Sequence, residues 1–495
     1  MLVNRTYRKQ QILFLIWASM YVLSWIHHVS WRDEMLTWLI ATRSESLAEF
    51  FTAIQYDRHP PFYYMILRGV YKTLSLLPPF SLLIDTPYFY IQRIITGTFA
   101  LGTTFLLLFR FSRVPLWFRG SVPFTLLFFM EYSVLSRSYI VGIFFFLLYL
   151  LAKSSKRIEL SWIWLFFSAG IHLFFTSFAG CFFVCDLFNH RHQLKERRLP
   201  FAVAAFCVGI LGLLIFQIPP RDTVFQSTPG ELGWSLHRAL VIIAQGMTGL
   251  DWFWGAFRWN MTIFNEKTAI LGILPLIYMM IRKRFPTFKF LFVIALPYGL
   301  LVSMGYVPFR YQGIIFVATV FLLLEWGMAG RKLPKLFGIY LFLMIFGTLR
   351  WFLTWSPYLF PPRYDFSGAG EIASKMGKEL TAENSVVIVE DPEIFFPAMG
   401  RMNLEKVFVP AYDRFIKYQF HRKVDSTGHR KHWCEWPEET LKEVFEDKTI
   451  YVVLMPHQVP PPNCGQFELV FEHERPILGY EDEKHKIFKR IGPKI

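Results

Sequence analysis

Long apolar runs recur along most of this chain, and short basic clusters separate them. The chain has 495 residues, of which 54% are apolar and 19% are aromatic, values that do not fit a soluble protein of this size. The sequence predicts a mainly α, polytopic membrane protein with about 11 to 12 membrane helices plus interfacial helices. The runs lie near 11–29, 87–109, 116–130, 139–152, 161–188, 200–218, 266–281, 287–304, 311–328 and 336–355.

The basic clusters predict the topology, because cytoplasmic loops of membrane proteins are rich in Lys and Arg. Residues 1–10 carry three basic side chains ahead of the first run, so the N-terminus is predicted inside. A cleaved signal peptide is the rival interpretation, but the run is long and no small-residue cleavage site follows it. For the spans to alternate, the run 161–188 must cross the membrane twice as a hairpin. Residues 61–78 then do not fit as a full span. The clusters include Arg110, Arg113 and Arg119; Lys153, Lys156 and Arg157; Arg191, Lys195, Arg197 and Arg198; Arg282, Lys283 and Arg284; and Arg331, Lys332 and Lys335.

The net charge of +15 is spread over these clusters. A nucleic-acid-binding protein would concentrate its basic residues on one face instead. The charge distribution therefore indicates a membrane protein and argues against nucleic acid as a partner.

The segment 31–64, just after the first apolar run, contains the residues that most clearly indicate a catalytic site. If residues 33–41 are helical, Asp33, Glu34, Thr37 and Ala41 share one side, with Met35, Leu36 and Leu39 on the other. The pattern places two adjacent carboxylates together at a membrane edge.

A second helix is predicted in the same segment. Ser46 and Glu49 have capping-box spacing, and an apolar stripe follows at the spacing of a helix that lies along a membrane surface. His59 is held extended by the prolines after it, and Pro61 can start the next helix. The stripe consists of Leu47, Phe50, Phe51 and Ile54.

The composition changes at Pro361 and Pro362, where a charged, mixed segment begins. The sequence predicts two domains, a membrane domain over 1–360 and a small extracytoplasmic α/β domain over 361–495. Helices near 367–380 and 438–446 alternate with strands at 386–389 and 449–455, which predicts a small parallel sheet.

The cysteines and histidines give weaker predictions. Pairing of Cys434 with Cys464 in an oxidising compartment is left open. A histidine group near residues 421–432 lacks the spacing of a zinc site and indicates a solvated basic loop. The remaining cysteines, Cys181, Cys185 and Cys207, are expected in the core.

With this topology four regions face outside and can wall one cavity. They are the first loop, the turn from Glu131 to Tyr139, the apex near His172, and residues 219–265, with a surface helix at 234–248. A short turn leading to Arg310 adjoins them.

Several of these elements resemble the lipid-linked-sugar glycosyltransferases of the GT-C fold, in the branch of the protein O-mannosyltransferases and aminoarabinose transferases. An Asp-Glu pair follows the first span, and a basic residue precedes Pro-Pro. The sequences LSRSY, AGIHLFF and PFRYQG are similar to the family's Arg-x-Tyr element, its histidine and its Arg-Tyr pair. RYDFSGAGEIA at 363–373 resembles the start of the family's outer domain. Glu131 departs from the usual Glu-x-Arg order.

The resemblance implies inverting sugar transfer from a polyprenyl-phosphate donor to a hydroxyl of a glycan, lipid or protein. It implies a multi-pass protein of the plasma (cytoplasmic) membrane, with the site outside. Some enzymes of this fold add a divalent metal, suited to magnesium or manganese oxygen ligands, and metal use is left open. The implied roles are Asp33 as base with Glu34 orienting, donor-phosphate binding by His59, Arg137, Arg310 and Tyr311, and a wall of Glu131, Tyr139 and His172.

Two other classes stay open. A lipid or sugar transporter would line a midplane path with charges, often at broken helices in repeated halves. A noncatalytic assembly protein would use its outer domain to bind a partner. The sugar and the acceptor are left open.

Overall fold

The computed structural model describes most of the chain and confirms a mainly helical protein with a small C-terminal sheet domain. The described residues are 2–27, 32–57, 59–77, 89–135, 137–192, 198–218, 220, 293, 313–335, 337–355, 369–389, 392–402, 404–410, 414–417, 448–455, 458–460, 465–473 and 485–491.

The described residues of the N-terminal part are mostly helical. The α-helices are α1 (Leu2–His27), α2 (Arg32–Arg43), α3 (Leu47–Asp57), α4 (Phe62–Ser75), α5 (Phe89–Phe105), α6 (Leu116–Ser121), α7 (Tyr139–Ser154), α8 (Ile158–Ala169), α9 (Leu173–Asn189), α10 (Arg198–Phe216), α11 (Ile314–Met328) and α12 (Phe337–Trp355). Two π-helical segments, Leu106–Arg110 and Leu127–Val134, and a 3-10 turn, Val122–Phe124, join them.

The predicted start of α3 is confirmed in detail. The Ser46 hydroxyl accepts from the Glu49 backbone N–H at 3.0 Å, and the Glu49 carboxylate accepts from the Glu45 N–H at 2.8 Å. The first bond satisfies a donor that the helix start leaves open, and the second holds the residue before the cap, Glu45, where a capping box would bond Ser46 itself. The apolar stripe is buried at Phe50 and Ile54, but Leu47 is 63% exposed.

Helix α4 explains why residues 61–78 did not fit a span. It has 14 residues, and at the helical rise it is about 21 Å long, short of the ~30 Å hydrocarbon core. Arg68, which interrupts the apolar pattern, is buried and donates to the carbonyls of Ala41 and Ser44 at 3.1 and 3.0 Å. Its role is therefore to cap the end of α2.

The hairpin predicted over 161–188 is present as α8 and α9, with its turn at 170–172. The Ser168 hydroxyl donates to the carbonyl of Gly142 in α7 at 2.9 Å, which ties the hairpin to its neighbour. Upstream, Leu127–Val134 and α7 form a pair of helices bent by 116°. The bend and the hairpin turn bring Tyr139 and His172 to one end of the bundle.

The C-terminal domain is a six-stranded sheet covered by helices α13 (Ala369–Leu380) and α14 (Pro392–Arg401). The predicted strands at 386–389 and 449–455 are confirmed. The expectation of a parallel sheet is wrong in part, because only the β1–β2 and β1–β4 pairs are parallel. The outer pairs are antiparallel, so the sheet is mixed. The strands are β1 (Ser385–Val389), β2 (Val407–Val409), β3 (Arg414–Ile416), β4 (Thr449–Leu454), β5 (Phe467–Glu472) and β6 (Lys486–Arg490), in the order β3-β2-β1-β4-β6-β5.

Helix α2 is buried between the two parts of the protein. Met35, Leu36 and Leu39 are buried, as expected of one side, but Glu34, Thr37 and Ala41 on the other side are buried as well. The cause is contact with α4 on one side and with α14 of the sheet domain on the other. The helix is therefore an element of the core.

An ion pair between Glu45 and Lys417 lies at the edge of this contact. Hydrogen bonding to the Lys417 ammonium holds the pKa of the Glu45 carboxyl below its usual range. Both side chains reach solvent, so the pair adds little to the stability of the contact.

Within the described residues, one helix, Ile91–Arg110, is long and apolar enough to cross a membrane, and the bent pair adds a second if it counts as one span. Several shorter helices are apolar and present exposed side chains, including Phe201 (78%) and Val208 (70%) on α10 and Phe342 (66%) on α12. Cys207 on α10 is exposed, contrary to expectation, whereas Cys181 and Cys185 are buried.

Several predictions lie outside the described residues. These concern the region 221–265 with its surface helix at 234–248, the helix near 438–446, and the side chains of Cys434, Cys464, His421, His429 and His432.

Candidate functional site

The first turn of α2 carries the predicted carboxylate pair. Acidic residues favour this position because the backbone N–H groups and the helix dipole attract negative charge. Glu34 is fully buried, at 0% exposure. Asp33 occupies the same turn, and its side chain lies outside the described part of the structure.

The surroundings of Glu34 are polar and aromatic. The hydroxyls of Tyr21 and Tyr63 both lie within electrostatic range of its carboxylate. Gln92 donates to the Tyr63 hydroxyl at 3.4 Å, and the Arg93 charge lies within electrostatic range of the Tyr21 hydroxyl. A buried carboxylate is tolerated when such groups compensate for lost water. Glu34 thus belongs to a polar centre inside the helical part.

A second group of side chains surrounds the ring of His172. The ring centroid of His59 lies 4.9 Å away and that of Tyr139 lies 4.6 Å away. The guanidinium carbon of Arg137 lies 5.7 Å from the Tyr139 ring centroid. Three segments that are distant in sequence therefore meet here. We call His59, Arg137, Tyr139 and His172 the basic cluster.

Backbone contacts hold the first loop against this cluster. The N–H of Phe62, at the start of α4, donates to the carbonyl of Gly170 at 3.0 Å. A Cβ atom on Gly170 would lie 2.1 Å from the Phe62 ring, so only glycine permits this approach. Pro60 and Pro61 are buried between His59 and α4. The predicted extended segment is thus pinned to the hairpin turn.

The position of His172 determines the hydrogen-bonding state of its ring. His172 is the N-cap of α9, with extended backbone angles, and its Nδ1 accepts from the Phe174 N–H at 3.3 Å. A neutral ring that accepts at Nδ1 carries its proton on Nε2. His172 therefore presents Nε2–H as a hydrogen-bond donor.

Arg137 links the basic cluster to the carboxylate helix. It is buried, at 7% exposure, and its charge lies within electrostatic range of the hydroxyls of Tyr63 and Tyr64 in α4. Tyr64 in turn donates to the Asp57 carboxylate and shares a hydrogen bond with Thr37 of α2. Glu34 and the basic cluster thus share the wall formed by α4.

The other predicted site residues are Glu131, Arg310 and Tyr311. Glu131 is buried, at 8% exposure, in the π-helical segment Leu127–Val134, on the far side of the bend from Tyr139. Arg310 and Tyr311 lie outside the described residues. Gly313, which follows them, packs against Leu127 and the Tyr132 hydroxyl.

Several polar residues of this region were not predicted from the sequence. Gln92 and Arg93 lie in the first turn of α5 and are 1% and 2% exposed, and Arg93 donates to the Trp25 carbonyl at 3.0 Å. A charged residue inside an apolar run is a known signal of function. That signal was present in the segment IQRII. Arg68 gave the same signal by interrupting the apolar run 61–78, whereas Tyr63 gave none, since its role depends on contacts with other helices.

No group of three or more His, Cys, Asp or Glu side chains that could hold a metal ion occurs among the residues with described positions. Comparison of the chain with protein-family models, with curated proteins and with solved structures finds no match.

Proposed function

We propose that this protein is an inverting glycosyltransferase. It moves a sugar from a polyprenyl-phosphate donor to a hydroxyl acceptor at the outer face of a membrane that it crosses several times. The observation that carries the proposal is the meeting of His59, Arg137 and His172 beside the helix of Asp33 and Glu34. Such a pairing offers hydrogen-bond donors for a phosphate and carboxylates for an acceptor.

Exposed apolar side chains support the membrane part of the proposal. Large apolar residues on α1, α10 and α12 face outward, among them Leu15, Phe201 and Phe342. A soluble monomer rarely leaves contiguous surfaces of this kind open to water, whereas lipid would cover them. The α5 span and the basic clusters between apolar helices agree with this placement.

The distribution of charge along α7 supports a site at one face. The basic cluster lies at the N-terminal end of this helix, and a buried ionic group lies at its C-terminal end. There Lys153 pairs with Asp186 and with Glu325, the latter at 2.6 Å. About 22 Å of helix separates the two ends, and the residues between them are apolar.

A transport path would instead need polar groups near the middle of the bundle. The apolar centre of α7 therefore favours the transferase over the transporter. Lys153 belongs to one of the Lys/Arg clusters that are predicted to be cytoplasmic. The basic cluster around His172 is therefore at the outer end of α7, where a lipid-linked donor would present its phosphate.

In the proposed reaction the donor keeps its polyprenyl tail in lipid and places its phosphate against Arg137, His59 and the Nε2–H of His172. These groups stabilise the negative charge that grows on the phosphate as the sugar leaves. Each charge-assisted hydrogen bond contributes about 1.5 to 3 kcal/mol.

The bond changes follow from this arrangement. The Asp33 carboxylate takes the proton of the acceptor hydroxyl, whose oxygen forms a bond to C1 of the sugar from the face opposite the phosphate. The bond between C1 and the phosphate oxygen breaks, and its electron pair stays on the polyprenyl phosphate. Glu34, buried one residue further on, holds the first turn of α2 in place.

The proposal is tested with purified protein, a set of radiolabelled polyprenyl-phosphate sugars, and membrane extract as acceptor. We expect one donor to pass its label to an extract component with release of polyprenyl phosphate, and nucleotide sugars to give no transfer. Movement of an intact labelled lipid across vesicles, without transfer from any donor, would contradict the proposal and favour transport.

A further inference from the structure

The sheet domain touches the carboxylate helix at a position where only glycine fits. A Cβ atom on Gly400 of α14 would lie 2.0 Å from Sδ of Met35, 2.7 Å from its Cγ and 2.8 Å from its Cε. Met35 follows Glu34 directly and is only 2% exposed. Because Cγ is also too close, the whole Met35 side chain would have to change its conformation, in a place where other atoms surround it.

The other end of α2 is also bound to the sheet domain. Arg43 donates from Nη1 to the carbonyls of Leu404 and Glu405 at 2.8 and 2.9 Å, and more weakly to that of Lys417 at 3.4 Å. Charged donors placed on backbone carbonyls make strong, directional bonds. The sheet domain thus contacts α2 both beside its first turn and at its last residue.

From the opposite side, α4 contacts the middle of α2, where Tyr64 and Thr37 share a hydrogen bond, and also its end. Arg68 donates to Ala41 and Ser44, both in the last turn or just after it. The Met35–Gly400 contact lies one residue beyond Glu34, so through it the sheet domain reaches the first turn, which carries Asp33 and Glu34. A displacement of about 1 Å in a reacting group can lower a rate on the order of 100-fold.

We propose that Gly400 and Arg43 are positioning residues, through which the sheet domain sets the place of the α2 carboxylates in the active site. This inference rests on the proposed function. The sheet domain then has a role in catalysis without touching substrate. A domain that merely packs against α2 would affect stability and leave the rate per folded molecule unchanged.

The test is a double-mutant cycle of Gly400→Ala and Met35→Ala, with Gly377→Ala as the matched control. A Cβ at Gly377, on α13 of the same domain, would lie an ordinary 3.7 Å from Met402 Cγ. Two quantities are measured for each purified variant: amide hydrogen exchange of α2, and kcat and KM for sugar transfer per folded molecule.

We expect Gly400→Ala to speed exchange in the first turn of α2 and to lower kcat on the order of 10- to 100-fold, with little change in donor KM. In the Met35→Ala background the same substitution should have almost no effect, since the space it needs is then free. Arg43→Ala should speed exchange at the other end of α2, and Gly377→Ala should match the wild type.

Unchanged exchange in α2 on Gly400→Ala would overturn the inference, whether or not transfer is observed. An equal loss of kcat with and without Met35 would overturn it too. A wild type that transfers no sugar while Gly400→Ala still loosens α2 would place the error in the proposed function instead.

Discussion

The rings of His59 and His172, which come from the first loop and from a distant helical hairpin, lie with their centroids 4.9 Å apart. The backbone hydrogen bond from the Phe62 N–H to the Gly170 carbonyl keeps the two segments together. Since both rings can donate hydrogen bonds, their meeting point is suited to a phosphate.

The first prediction concerns His172. His172→Asn should keep the cap of α9, because asparagine is also a good N-cap, but it removes the ring and its Nε2–H donor. We expect the thermal midpoint to change little and the affinity for polyprenyl phosphate to fall roughly tenfold. His190→Asn, at the other end of α9, serves as the control and should bind normally. Equal affinities in both variants would remove His172 from the site.

The second prediction concerns Arg137. Arg137→Ala should weaken donor binding roughly tenfold or more while leaving acceptor binding nearly unchanged, and Arg137→Lys should restore only part of the loss. Binding of labelled polyprenyl phosphate to purified variants measures this, with Arg113→Ala as a control at an exposed position. If Arg137 only anchors the chain at the membrane surface, lysine would substitute almost fully and alanine would lower expression without changing affinity.

The third prediction concerns Arg68. Its guanidinium bonds two carbonyls at the end of α2 and lies 4.9 Å from the Phe50 ring centroid. Arg68→Ala should lower stability by about 1.5 to 3 kcal/mol per lost bond, measured as a drop in thermal midpoint in detergent. Lys72→Ala, an exposed change on the same helix, should stay within about 0.5 kcal/mol of the wild type. A similar small effect of Arg68→Ala would show that α2 needs no cap.

The fourth prediction concerns topology. In a chain without its native cysteines, Glu45→Cys and Glu383→Cys should react with an impermeant thiol reagent added outside, and Ser155→Cys should not. All three positions are exposed, so the reagent can reach each one on its own side of the membrane. Labelling of residue 155 in intact cells would reverse the arrangement and place the basic cluster inside.

The local parts of this architecture could be predicted from sequence. The Ser46–Glu49 cap, the helix over Asp33 and Glu34, and the strands at 386–389 and 449–455 depend on neighbours along the chain, and they appear as expected. The predicted topology also grouped His59, Arg137 and His172, and the structure brings these side chains together.

The features that were predicted wrongly depend on contacts between residues that are distant in sequence. The pattern of α2 predicted one polar side at a membrane edge, but Gly400 and Arg68 approach the helix from two sides and bury it. The sheet has antiparallel edges because β6 pairs with both β4 and β5, which no local pattern specifies. Cys207 is exposed because α10 turns an apolar face outward, and hydrophobicity alone does not distinguish outward-facing from core positions.

The most direct test of the account is single-turnover sugar transfer by Asp33→Asn beside Glu34→Gln. The asparagine side chain keeps the shape of Asp33 but cannot accept a proton. We expect Asp33→Asn to bind donor normally and to lose transfer, and Glu34→Gln to lose less. A near-normal single-turnover rate for Asp33→Asn would contradict the assignment of the base.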